Sequence, residues 1–160
     1  MISQFNGAVL DHYRQHRFLL WRFWDDKPRM LFIGLNPSTA NELEDDPTVR
    51  RLCGFAQDWG YGGIYLCNLF SFITPHPKEL IQQTRNHKAN TPAIQMALGL
   101  SILTVCGWGD GIKAVEQGYS RARFVYELTD SPMCFGLTQS GNPKHPLYLP
   151  KEAELYEYGT

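Results

Sequence analysis

Several short stretches of this chain hold side chains whose types and spacing could do chemistry: Asn36-Pro37-Ser38-Thr39, Asp45-Asp46, Asn68, and Asn142 with Lys144-His145. An asparagine amide offers both a donor and an acceptor, so it can orient a ligand, but it cannot serve as a general base. A carboxylate such as Asp45 or Asp46 can. Each stretch also has a plainer reading. Asn36-Pro37 can be a strand-to-turn exit, Asp46 a helix cap, Asn68 a residue that satisfies backbone at a strand end, and His145 a surface or structural histidine.

The elements that must position these groups begin with Met30 to Ala40, MLFIGLNPSTA. Met30, Leu31, Phe32 and Ile33 form an apolar run without alternation, which predicts a strand covered on both faces, as in a parallel sheet. Gly34 lets the chain turn, and Pro37 biases Asn36 toward extended geometry. Open α/β sheets place their ligand sites in polar loops at the carboxyl ends of such strands. Asp45-Asp46-Pro47-Thr48 then reads as a helix start, followed by Val49, Leu52, Cys53, Ala56 and Trp59 at helical spacing, with Gly60 as the stop. Ile64 to Leu69 is predicted as a second buried strand, Ser101 to Cys106 as a third and Met133 to Leu137 as a fourth. Ala8 to Gln15, Lys78 to Gln83, Thr91 to Leu98 (capped by Asn90) and Asp110 to Gln117 read as helices. Phe18 to Trp24 reads as an edge strand or strap, Phe124 to Leu128 as strand or helix, and Lys151 to Thr160 as a tail. Ser140 to Pro150 carries three prolines and cannot form regular structure; rigid loops rich in polar side chains are more often sites than supports.

A chain of 160 residues, 43% hydrophobic, is expected to form one domain over residues 1–160. No run is long and apolar enough to span a membrane and Met1 to Asp11 is not a secretory signal, so a cytoplasmic location and no membrane partner are expected. The widely spaced Cys53, Cys67, Cys106 and Cys134 suit reduced, buried thiols better than disulfides, zinc or a cluster. A net charge of −1 gives no long-range field for nucleic acid. Arg14, His16, Arg17 and Arg22, then Arg50 and Arg51, read as scattered surface charge or at most a local basic face.

In order, GLNPS at Gly34, GIYLCNLFSF at Gly63, TVCGWG at Thr104 and NPKHPLYLP at Asn142 resemble the motifs of the uracil-DNA glycosylase superfamily, across residues 31 to 150. The chain also resembles a family of small bacterial and phage proteins of unassigned function that share these motifs. The superfamily resemblance implies an α/β fold, a three-layer α/β/α sandwich with a central four-stranded parallel sheet, acting as a monomer on DNA without metal or cofactor. It implies that Asn36 positions the attacking water, Asn68 reads the edge of a flipped base, and His145 stabilises the departing base anion. Pro37, Ser38 and Phe70 would border the base. Pro146 and Leu147 resemble a loop that wedges into the duplex, although the usual serine-rich pattern is missing, and Lys144 and Trp108 would contact DNA. The paired cysteines of the cluster-containing branches are absent.

Cleaving an N-glycosidic bond builds positive charge on the sugar and negative charge on the leaving base, so fixed polar groups on both sides lower the barrier. The expected activity is therefore that of a monofunctional DNA N-glycosylase. Because Asn36 cannot be a base, either the mechanism is mainly electrostatic or Asp45 or Asp46 completes it. Ser38 stands where the strictly uracil-specific branch has a tyrosine that blocks the base's 5-position, which favours a C5-modified pyrimidine and would suit phage defence or repair. The alternative is a catalytically silent nucleic-acid or nucleotide-binding protein. A phosphate cradle at GLNPST lacks the lysine and glycine spacing of a P-loop.

Overall fold

A computed structural model describes residues 4–82 and 89–159. The strands are β1 (Phe5–Leu10), β2 (Arg17–Phe23), β3 (Arg29–Gly34), β4 (Gly63–Asn68), β5 (Leu103–Cys106), β6 (Met133–Cys134) and β7 (Tyr156–Glu157). They form one seven-stranded sheet in the order β1-β2-β4-β3-β5-β6-β7. The α-helices among the described residues are α1 (Pro47–Asp58), α2 (Thr91–Leu100) and α3 (Gly118–Leu128), with 3₁₀ turns at Pro77–Gln82 and Asp110–Ala114. No helix among the described residues is long and apolar enough to cross a membrane.

This sheet overturns the expected three-layer sandwich on a four-stranded, wholly parallel sheet. It has seven strands of mixed direction: β3 with β4, β3 with β5 and β5 with β6 pair parallel, whereas β1 with β2, β2 with β4 and β6 with β7 pair antiparallel. The added strands come from segments read otherwise. Phe5–Leu10, read from Ala8 onward as helix, is an edge strand that pairs with β2 and buries little besides Gly7. Without an apolar face it carries no strand period to read. Of Phe18 to Trp24, residues up to Phe23 belong to the internal strand β2 rather than to an edge, and Trp24 follows it. The expected tail supplies β7 and seats Tyr158 in the core beside Trp108.

Both faces of β3 are covered, which accounts for its unbroken apolar run. Met30 and Phe32 pack with Val49, Leu52, Phe55 and Ala56 of α1. Leu31 and Ile33 face the other way, into a core with Ile94 and Ala97 of α2 and Val125 of α3. Phe124 to Leu128 resolves as helix. The expected helix from Asp110 to Gln117 is only a 3₁₀ turn, bounded by left-handed backbone at Gly109 (φ 67°) and Gln117 (φ 62°). The strand expected over Met133 to Leu137 stops at Cys134, shortly before Gly136 turns at φ 101°. Lys78 to Gln82 lies in a 3₁₀ turn rather than an α-helix, and Gln83 falls outside the described residues.

Candidate active site

The carboxyl ends of β3, β4 and β5 open on a cavity of about 250 Å³. The loops that follow them are laced together: Leu69 N–H donates to Gly34 O at 2.9 Å, Phe70 N–H to Leu35 O at 3.0 Å, Thr74 N–H to Pro37 O at 3.0 Å, and Gly107 N–H to Ile33 O at 2.9 Å. Glycines stand where these chains close on the cavity, Gly107 where a side chain would clash and Gly34 where one would be tight. A Cβ on Gly34 would come within 3.0 Å of Asn68 Nδ2, and one on Gly107 within 2.6 Å of the Phe32 ring and 3.0 Å of Lys144 O. The volume falls below the roughly 300–1,000 Å³ typical of drug-sized ligand sites, so it suits a small ligand.

The cavity brings together Asn36, Pro37, Ser38, Asp46, Asn68, Trp108 and His145. Each main polar group is held in one orientation. Asn36 Nδ2 donates to Thr74 O at 2.7 Å and Pro37 O at 3.1 Å, and carbonyls only accept, so Oδ1 is the end left over. That oxygen has no partner among the described residues and can accept a hydrogen bond from a water or ligand. Asn68 is set the opposite way. Its Oδ1 accepts from Arg17 Nη2 at 3.3 Å, and an arginine has no acceptor to offer, so Nδ2 lies toward Gly34 and the cavity. Its backbone is propped from behind, because Asn90 Nδ2 donates to Asn68 O at 2.7 Å and Arg121 to Asn90 Oδ1 at 2.7 Å. Asn90, expected to cap α2, makes no side-chain cap bond and serves this prop instead.

His145 Nδ1 accepts from Leu147 N–H at 3.1 Å, which places the neutral ring's proton on Nε2. The residue is exposed as a whole, yet protein around the ring desolvates it and lowers its pKa, partly opposed by the Asp46 carboxylate. The neutral ring is thus favoured, with Nε2–H as a donor.

Asp46 both caps α1 and lines the cavity, and it is 7% exposed. Its Oδ1 accepts from Val49 N–H at 2.8 Å and its Oδ2 from Ala40 N–H at 3.3 Å. The other candidate carboxylate, Asp45, is engaged at 2.7 Å by Arg22 Nε and does not line the cavity. Arg22, read as surface charge, is buried and also donates to the carbonyls of Trp21 and Glu44.

Several expected site residues lie elsewhere. Phe70 sits in the core with Leu19 and Leu69 rather than on the cavity wall, where Phe32 and Trp108 supply the aromatic surface. Lys144 is exposed outside the cavity, Pro146 is buried and Leu147 half-buried. Tyr148 also projects from this loop, 93% exposed on left-handed backbone (φ 72°). Sequence reasoning also missed Asp110, a cavity residue whose Oδ1 accepts from Thr138 Oγ1 at 2.7 Å and Asn142 Nδ2 at 2.9 Å, bonds that hold its carboxyl below the usual range and tie the final loop to β5. It missed Arg17 as well, which lines the cavity at 2% exposure. All four cysteines are free, and burial pushes the thiols of Cys53 and Cys67 up to about 12. Among the described residues no three His, Cys, Asp or Glu side chains are grouped to share a metal ion.

Residues 17–147 match the family described as Protein of unknown function (DUF1643). No curated protein and no solved structure matches the chain.

Proposed function

The chain belongs to this DUF1643 family, and on the geometry of its cavity we propose that it is a DNA N-glycosylase acting on uracil or, by preference, a C5-modified uracil-type base. The observation that carries the reading is the convergence of Asn36, Asp46, Asn68 and His145, from separate segments, on one base-sized cavity at the ends of parallel strands. Asn68 offers N–H to the ligand, which suits a base carbonyl and repels an exocyclic amine. Hydrolysis breaks the C1′–N bond and leaves the electron pair on the base. The water's hydroxyl goes to C1′, held by Asn36 Oδ1, and its proton passes to Asp46 and later to the base. The Nε2–H of His145 donates to the base oxygen that gains charge. Ser38 on the cavity wall leaves room for a 5-substituent. Reaching a base in duplex DNA requires flipping it out. Tyr148, on the same loop as His145, takes the wedge role in place of Pro146 and Leu147. A role in phage defence or repair, in the cytoplasm and without metal or cofactor, fits this chemistry.

The test is incubation with duplexes carrying uracil, 5-hydroxymethyluracil and bulkier 5-substituted uracils, with detection of abasic sites. Release from at least one is expected. Release from none would remove the reading and favour a binding protein without catalysis.

A further inference from the structure

We propose that Arg17 is the fixed cation of this pocket and that it selects a pyrimidine ring in its anionic form, which under the glycosylase reading is the departing base. The arginine enters from β2, outside every segment that suggested a site in the sequence. Its Nη1 donates to Ala40 O at 2.9 Å and its Nη2 to Asn68 Oδ1 at 3.3 Å, while Nε is buried with no hydrogen-bond partner among the described residues. No carboxylate of the described residues lies within ion-pair distance of it, in contrast to Arg22, which Asp45 engages. Arg121, equally buried, spends its donors on Leu69 O, Thr91 Oγ1 and Asn90 Oδ1.

A guanidinium removed from water without an ion pair is costly unless its donors are used, and Arg17, unlike Arg121, leaves its Nε unpaired among the described residues and lines the cavity. Burial lowers the Arg17 pKa to about 10, opposed by the nearby Asp46 carboxylate, so the group still holds its proton at neutral pH. His145 is the other basic side chain of the wall, and its neutral form is favoured. The lasting positive charge of the cavity is therefore Arg17, set against the carboxylates of Asp46 and of Asp110, whose Oδ1 is already engaged by Thr138 and Asn142. Through its bond to Asn68 Oδ1 it also polarises that amide, strengthening the donation from Nδ2 to an electron-rich base oxygen. Negative charge on a bound ring is stabilised by Arg17, acting through Asn68, and by the Nε2–H of His145, whereas a neutral ring gains less from either.

The experiment separates this inference from the glycosylase reading on which its catalytic form rests. Isothermal titration at neutral pH compares barbiturate, an anionic pyrimidine ring, with neutral uracil. The wild-type protein should bind barbiturate at least about tenfold more tightly, the effect of one charge-assisted hydrogen bond. Arg17→Met should lose the preference and Arg17→Lys retain part of it. Equal affinities, no barbiturate binding by the wild-type protein, or an undiminished preference in folded Arg17→Met would overturn the assignment; the wild-type comparison stands even where Arg17→Met does not fold. On DNA, Arg17→Met should slow release of uracil more than that of 5-fluorouracil, the better leaving group, raising the rate ratio about tenfold. An unchanged ratio would remove Arg17 from leaving-group stabilisation. A protein that prefers barbiturate yet releases no base from any duplex would keep the Arg17 site and end the glycosylase reading.

Discussion

Replacing Asp46 by asparagine removes a charge and almost no volume, and the structure separates its two effects. The Oδ1 bond to Val49 N–H survives, because asparagine caps a helix about as well as aspartate. The Oδ2 bond to Ala40 N–H does not, since the new amide group meets that donor with a donor. Leaving a buried N–H unpaired costs about 1–3 kcal/mol, and because the Ala40 bond is long at 3.3 Å the low end of that range, about 1–2 kcal/mol, is expected. For a domain of this size each kcal/mol is about 2–4 °C, which places the fall in Tm at about 2–8 °C and leaves the protein folded. If the carboxylate takes the proton of the attacking water, base release should nevertheless slow by at least about 10²-fold. The assay is single-turnover release at saturating enzyme, with melting followed in the same buffer. Asp46→Ala, which loses the cap too, should be less stable than Asp46→Asn but no slower in chemistry. A folded Asp46→Asn protein releasing base within about threefold of wild type would refute the reasoning and leave Asp46 a cap alone.

Asn36→Ala and His145→Ala should each slow base release by about 10²-fold or more while substrate binding persists; near-normal single-turnover rates in either would remove that residue from the chemistry. Ser38→Tyr should suppress release of 5-substituted bases selectively, and a uniform loss across substrates in excision assays would count against an open 5-position. Because burial lowers the His145 pKa below its unfolded value, the unfolded chain binds the extra proton first as pH falls. The histidine's contribution to stability is thus complete above about pH 6.5 and lost as acid carries the protein through the lower folded pKa, where a proton on Nδ1 also breaks the bond from Leu147 N–H. Melting of wild type should fall more steeply with acid than that of His145→Gln, and parallel curves would contradict the assignment. Tyr148→Ala should slow release from duplex far more than from single-stranded DNA, an expectation that equal losses on the two substrates would defeat.

What could be read from the sequence was local. The unbroken run of β3, the cap and proline opening α1, and the asparagines closing β3 and β4 announce themselves over a few neighbours, and they brought Asn36, Asp46 and Asn68 to the cavity. Arg17 and Arg22 were hidden because an arginine's burial depends on who receives its donors, here Ala40 O and Asn68 Oδ1 for one and Asp45 for the other, all distant in the chain. β1 was illegible because an exposed edge strand needs no apolar face, and β7 because its two residues borrow their strand geometry from β6. At 110–117 the apolar spacing fits a helix, but the left-handed backbone that limits it to a turn has no marker at Gln117.

The direction of each polar group depends on residues that were not candidates themselves. Asn36 presents its oxygen because Thr74 and Pro37 hold its nitrogen, Asn68 its nitrogen because Arg17 holds its oxygen, and His145 its Nε2–H because Leu147 N–H occupies Nδ1. An isolated asparagine can exchange donor and acceptor by an amide flip, and a histidine by a ring flip or a proton shift; these cannot without breaking a bond to the frame. Fixed dipoles of this kind need no reorganisation when charge develops, which is where electrostatic catalysis gets its strength. Every cavity-lining residue from Arg17 to His145 falls within the matched span 17–147, and so do all the groups that orient them, up to Leu147 itself. The strand that delivers Arg17 is therefore part of the site and not an appendage to the parallel strands beside it.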